Sequence, residues 1–139
     1  MKLTKNSKLV FMGDSITDCG RKRPIGEGAE PGWGNGYVNL VVSHLAAEWP
    51  EFNIHFQNMG ISGNTVRDLK SRWQTDCLDL KPDWVSIMIG INDVWRQYDR
   101  PYQKGAGVPI KEYSETLEEL IVKTKPHLSG GLILVTPYY

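Results

Sequence analysis

Four short apolar stretches punctuate the chain, each running into a polar or glycine-bearing segment, and the stretches between the first three are long enough to cross a sheet. In residues 8–12, Leu9, Val10, Phe11 and Met12 are bounded by polar positions and stopped by Gly13, the pattern of a short buried strand. Between residues 36 and 49, Tyr37, Val38, Val41, Val42, Leu45, Ala46 and Trp49 recur at helical spacing until Pro50 ends them. Residues 53–57 alternate, with Ile54 and Phe56 on one face, which predicts a second strand. Asn64 or Thr65 can then cap a helix carrying Val66, Leu69, Trp73, Cys77 and Leu80 on one stripe up to Pro82.

Residues 84–89 are nearly continuous in apolar character, as in a central parallel strand covered on both faces. Beyond Gly90 the sequence reads as an aromatic-rich loop through Trp95, Tyr98 and Tyr102. Ile110, Tyr113, Leu117, Leu120 and Ile121 mark a third helix ending near Pro126, and residues 131–135 a fourth strand. The order β-α-β-α-β-α-β predicts one α/β domain over residues 1–139, a parallel sheet with helices on both faces.

Charge and cysteine usage narrow the function classes. Sixteen basic and sixteen acidic side chains leave no excess to attract nucleic acid or anionic lipid, so a neutral substrate is expected. Cys19 and Cys77 form no CxxC pair and read as reduced thiols, without a cysteine metal site. The basic amino terminus leads into only four consecutive apolar residues, too few for a signal-peptide core or a membrane span, and the expected location is the cytoplasm. The long loop 19–35, with two prolines and five glycines, fails the dinucleotide fingerprint because Pro31 stands where its third glycine is required.

The chemistry gathers where the strands end. Gly13-Asp14-Ser15-Ile16-Thr17-Asp18 follows the first strand directly, which presents a serine hydroxyl at the carboxyl edge where open α/β sheets bind ligands. Asp, Ser and Thr are also common helix caps, so that reading stands beside the catalytic one. Parallel strands bring the first three loops to one edge. Ser15 there offers a hydroxyl and an amide, Gly63 an amide unscreened by a side chain, and Asn92 a carboxamide: a nucleophile with the parts of an oxyanion hole.

Gly13-Asp14-Ser15, Asn58-x-x-x-x-Gly63 and Gly90-x-Asn92-Asp93 resemble, in order and spacing, the first three motif blocks of the SGNH (GDSL-type) hydrolases, over essentially the whole chain. Residues 13–21, 60–70 and 84–99 look like the bacterial acetylxylan esterases within that family. The resemblance implies a three-layer αβα flavodoxin-like fold and a serine esterase needing no metal or organic cofactor. It makes Ser15 the nucleophile and the amides of Ser15 and Gly63 and the side chain of Asn92 the oxyanion donors. It further implies an acetylated carbohydrate substrate such as a xylo-oligosaccharide, and a homo-oligomer. Trp33, Trp95, Tyr98 and Tyr102 are candidates for stacking on a sugar ring or for packing and contacts.

One block of the family pattern is absent. None of the eight aspartates, Asp14 to Asp99, has a histidine three positions on, so the chain reads as the amino-terminal portion of a longer hydrolase, lacking a final strand and helix. The three histidines are poor substitutes. His44 falls within the first long helix, His55 in mid-strand and His127 before the fourth strand, away from the loop edge. The 139 residues alone are expected to be inactive or crippled. Asp14, Asp18 and Asp93 read as acceptors of backbone N–H bonds, and Arg21, Arg23, Arg96 and Arg100 as braces of loops or subunit contacts. The same loops would serve a lysophospholipase or acyl-CoA thioesterase, and a non-catalytic α/β binding fragment or flavodoxin-like carrier is the reading outside ester hydrolysis.

Overall fold

The computed structural model describes residues 3–28 and 32–137; Met1, Lys2, Pro31, Tyr138 and Tyr139 of the sequence reading lie outside them. Four parallel strands, β1 (Lys8–Gly13), β2 (His55–Asn58), β3 (Trp84–Met88) and β4 (Gly131–Val135), form one sheet in the order β2-β1-β3-β4. Among the described residues six α-helices accompany them: α1 (Ser15–Asp18), α2 (Tyr37–Glu48), α3 (Val66–Ser71), α4 (Trp73–Asp76), α5 (Ile91–Asp99) and α6 (Ile110–Thr124). From β1 the chain moves to one side for β2 and then to the other for β3. The strand order therefore reverses between β1 and β3, the crevice at which open α/β sheets bind ligands.

Alternation along β1 separates two cores. Val10 and Met12 join Val66, Leu69, Trp73, Val85, Ile87 and Leu120 on the face under α3, α4 and α6, while Leu9 and Phe11 meet Val38, Val42 and Phe56 under α2. The result is the expected three-layer arrangement. Leu9 pairs with Phe56 on one side and Trp84 on the other, so β1 is central and five of its six residues are buried. Cys19 and Cys77 are free; burial pushes the Cys77 thiol up to about 12.

Several expected boundaries shift. The second strand begins at His55 rather than residue 53, with Ile54 still packed on the α2-side core. The single helix expected from residue 64 or 65 to 80 is broken into α3, α4 and a 3-10 turn at Leu78–Leu80, with the first break at Arg72. Its stripe survives the breaks: Val66, Leu69, Trp73 and Cys77 are all buried.

The larger correction concerns residues 91–99, read as loop and found as α5. This helix is amphipathic in the reverse sense. Its buried residues are Asn92 and Asp93, while Val94, Trp95 and Tyr98 are exposed, so a search for an apolar face turned to the core misses it.

Candidate active site

Each of the first three strand ends is held by contacts to another loop. Asp14 caps α1, its Oδ1 accepting from the Ile16 amide at 3.0 Å, so the capping reading of this turn is correct for Asp14, and Ser15 follows as the first, exposed residue of the helix. The loop after β2 lies directly on this turn. The Ile61 amide donates to the Gly13 carbonyl at 3.1 Å and the Ser62 amide to Asp18 Oδ2 at 3.0 Å. A Cβ on Gly60 would collide with the Asp18 amide nitrogen, so only glycine permits that approach.

Gly63 adopts φ +83°, a conformation suited to glycine, and the Arg96 guanidinium lies close beside it. The next turn is anchored by a capping box at Thr65 and Asp68. The third loop is tied to the second from two sides. Asn92 Nδ2 donates to the Asn64 carbonyl at 3.0 Å, and the Val66 amide donates to Asp93 Oδ1 at 2.9 Å. Arg96 adds a bond from Nη2 to the Gly63 carbonyl at 3.3 Å. One hydrogen of the Asn92 amide is engaged by Asn64, and the other is left for a further acceptor.

The acidic residues divide by environment. Burial opposes the charge on Asp18, yet the Arg23 guanidinium at 2.5 Å and the Ser62 amide prevail and hold its carboxyl below the usual range. Asp14 and Asp93 are buried without a cation partner, and burial raises both, only partly countered by the amides of Ile16 and Val66. The expected role of all three as amide acceptors matches these contacts.

Sequence reading missed two supports of the site's floor. Asn58, fully buried, donates to the carbonyls of Thr17 (2.6 Å) and Trp33 (2.8 Å) and accepts from the Gly60 amide (2.9 Å). Arg72 reaches both the first and second loops. Asn58 was visible as a motif residue, but nothing local marks either side chain as inward-facing. Arg21 braces the loops as read: its Nε donates to the Gly60 carbonyl at 2.7 Å, while burial, with Arg23 alongside, brings it down to about 10.

The aromatic candidates separate. Trp33 is half-buried, its Nε1 donating to the Phe56 carbonyl at 3.0 Å and its ring edge-on to Phe56, which ties it into the fold. Trp95 and Tyr98 stay exposed on α5, the helix that carries Asn92. All three histidines are exposed and remote. His44 lies on α2 edge-on to Trp49, His55 is the first residue of β2 rather than mid-strand, and His127 sits in the turn before β4. Among the described residues no group of three His, Cys, Asp or Glu could hold a metal, and no helix is long and apolar enough to cross a membrane.

Ser15 at the end of β1, the Gly63 loop bonded to its turn, and Asn92 tied to that loop stand at the strand ends beside the switch-point crevice. The chain belongs to the GDSL-like lipase/acylhydrolase family, whose pattern matches residues 11–139. It is 59% identical over 139 residues to an acetylxylan esterase of Geobacillus stearothermophilus, covering 100% of this chain and 63% of that protein. The crystal structure of that organism's acetylxylan esterase superimposes with a TM-score of 0.96 at 58% identity, with the same coverage. An alpha/beta hydrolase enzyme from the metagenome of Lake Arreo, Spain, gives 0.95 at 51% identity, covering 100% of this chain and 64% of its own. Solved catalytic mutants of the Geobacillus esterase replace a serine, an aspartate or a histidine by alanine, the last two three positions apart. The chain thus spans a little under two thirds of the length of these relatives.

Proposed function

We propose that this chain carries the nucleophile and oxyanion half of a serine esterase acting on acyl groups, above all acetyl groups, of carbohydrates such as xylo-oligosaccharides. The observation that carries the reading is the interlocking of the three strand-end loops that bear Ser15, Gly63 and Asn92. Ser15 Oγ attacks the ester carbonyl and passes its proton to a base, and the oxyanion is taken by the Ser15 and Gly63 amides and Asn92 Nδ2. Collapse expels the sugar hydroxyl and leaves an acetyl-serine that water hydrolyses. The serine replaced in a catalytic mutant of the Geobacillus esterase is the fifteenth residue of its chain, as Ser15 is here.

The base is a histidine held by an aspartate, in the Asp-x-x-His spacing that these 139 residues do not contain. Trp95 and Tyr98, exposed on α5, are the aromatics that would meet the sugar. The free thiols favour a cytoplasmic protein, and the exposed apolar face of α5 favours a homo-oligomer.

The test joins this chain to the segment of the Geobacillus esterase that continues past the matched region. The hybrid is expected to release acetate from acetylated xylo-oligosaccharide, and Ser15→Ala to abolish the release. Undiminished hydrolysis by Ser15→Ala overturns the reading. A largely apolar cavity of about 290 Å³ on α5, lined by Ile91, Asp93, Val94, Val108, Ile110 and Tyr113, favours a second reading, a longer acyl group. A series of p-nitrophenyl esters separates the two: acetate preferred for the first, octanoate for the second.

A further inference from the structure

Arg72 stands where the helical stripe breaks, as the last cap of α3 and the first of α4, with φ −108° and ψ 6°. This bridge conformation lies outside the helical well. Its side chain is 12% exposed, and four hydrogen bonds engage the guanidinium. Nε donates to Asn64 Oδ1 at 2.7 Å, Nη1 to the Met59 carbonyl at 2.8 Å and to Asp76 Oδ2 at 3.0 Å, and Nη2 to the Gly13 carbonyl at 3.1 Å.

Those acceptors belong to different parts of the site. Gly13 immediately precedes the Asp14-Ser15 turn, and its carbonyl also accepts the Ile61 amide. Met59 and Asn64 bracket the loop that holds Gly63. The Asn64 carbonyl in turn accepts Asn92 Nδ2. One rigid, planar group therefore touches the first two loops directly and reaches the third through a single residue. Arg21 and Arg96 reach a narrower set: Arg21 bonds Gly60 and its own loop, and Arg96 bonds Gly63 and Asp99.

A simple helix-stabilising ion pair with Asp76, four residues on, would account for one of the four bonds. The other three go to neutral acceptors in the site loops, where a fork of fixed directions sets spacing as well as charge.

We propose that Arg72 is the positioning residue of this site, setting the separation of the Ser15 turn, the Gly63 amide and the Asn92 carboxamide that together receive the oxyanion. Its catalytic consequence rests on the esterase reading above; its spatial content does not. Lysine keeps the charge but not the fork, so it cannot hold the Asn64 side chain and two carbonyls together.

The experiment has two arms. In the first, ¹H–¹⁵N spectra of the 139-residue chain compare Arg72→Lys and Arg72→Met with Asp76→Asn, which removes the ion partner alone. Both Arg72 variants are expected to move the amide signals of Ser15 and Gly63 and the Asn92 side-chain signals, and Asp76→Asn to leave them in place. In the second arm, Arg72→Lys in the hybrid esterase is expected to lower kcat about 100-fold with KM within about twofold, as for a misplacement near 1 Å. Should Arg72→Met fail to fold, Arg72→Lys carries both arms. A folded Arg72→Lys with these signals unmoved, or Asp76→Asn matching it, overturns the proposal. Moved signals with an unchanged rate overturn its catalytic part, whereas an undiminished rate in Ser15→Ala strikes the esterase reading and leaves the spatial role standing.

Discussion

β1 and β4 are parallel strands of one sheet with similar apolar sequences, yet they live in different surroundings. β1 lies between β2 and β3, is buried at five of six positions, and hands its end to Asp14, Ile61 and Arg72. β4, like β2, is an edge strand of the described sheet, with Ile133 41% and Leu134 55% exposed. The pattern that makes a strand does not decide how deeply it is buried. Depth comes from neighbours on both sides, and so does the rigidity of the loop that follows. A site that must hold several donors still is served better at the β1 end.

The largest expected effect falls at the knitted end. Asn92→Ala in the hybrid esterase should cost about 10²–10³ in kcat while KM changes little, measured by steady-state acetate release. A loss confined to KM would remove Asn92 from the oxyanion hole. Next comes the strand itself: Met12→Ala, emptying a fully buried position, should destabilise by about 2–5 kcal/mol in urea unfolding.

The loop charges give a smaller, pH-dependent contrast. Asp18, held below the usual carboxylate range, stabilises the fold above that range and loses the contribution as pH falls through its folded value. Asp18→Asn should therefore cost on the order of 1 kcal/mol at neutral pH, and less in acid. Asp93 runs the other way. Its raised folded value makes its contribution complete in acid and lost as pH rises, so Asp93→Asn should remove a decline in the urea midpoint between acid and neutral pH. Parallel pH profiles for the two variants would break the distinction. The smallest effect belongs to β4: Leu134→Ala should cost less than about 0.5 kcal/mol, and a cost approaching that of Met12→Ala would show that this edge is covered in solution.

Much of this was legible locally. The apolar runs gave the strands, Pro50 and Pro82 the ends of helical stretches, and the polar turns carrying Ser15, Gly63 and Asn92 the strand ends. What escaped shares a cause. α5 was hidden because its buried face is polar, formed by Asn92 and Asp93, while Trp95 and Tyr98 face outward. Trp33 could not be told from a loop aromatic open to ligand, because its partner, the Phe56 carbonyl, lies 23 residues away.

The sequence by itself determined which segments become strands, that three polar loops lie at one edge, and which functional groups those loops carry, since these follow from periodicity, turn residues and the parallel connection rule. Tertiary structure alone decided that Arg72 turns into those loops and that Asn58 braces them. The reason is range. Alternation and helical spacing are properties of neighbours along the chain, whereas the bond from Arg72 to Gly13 joins residues 59 apart and exists only once sheet and helix have met.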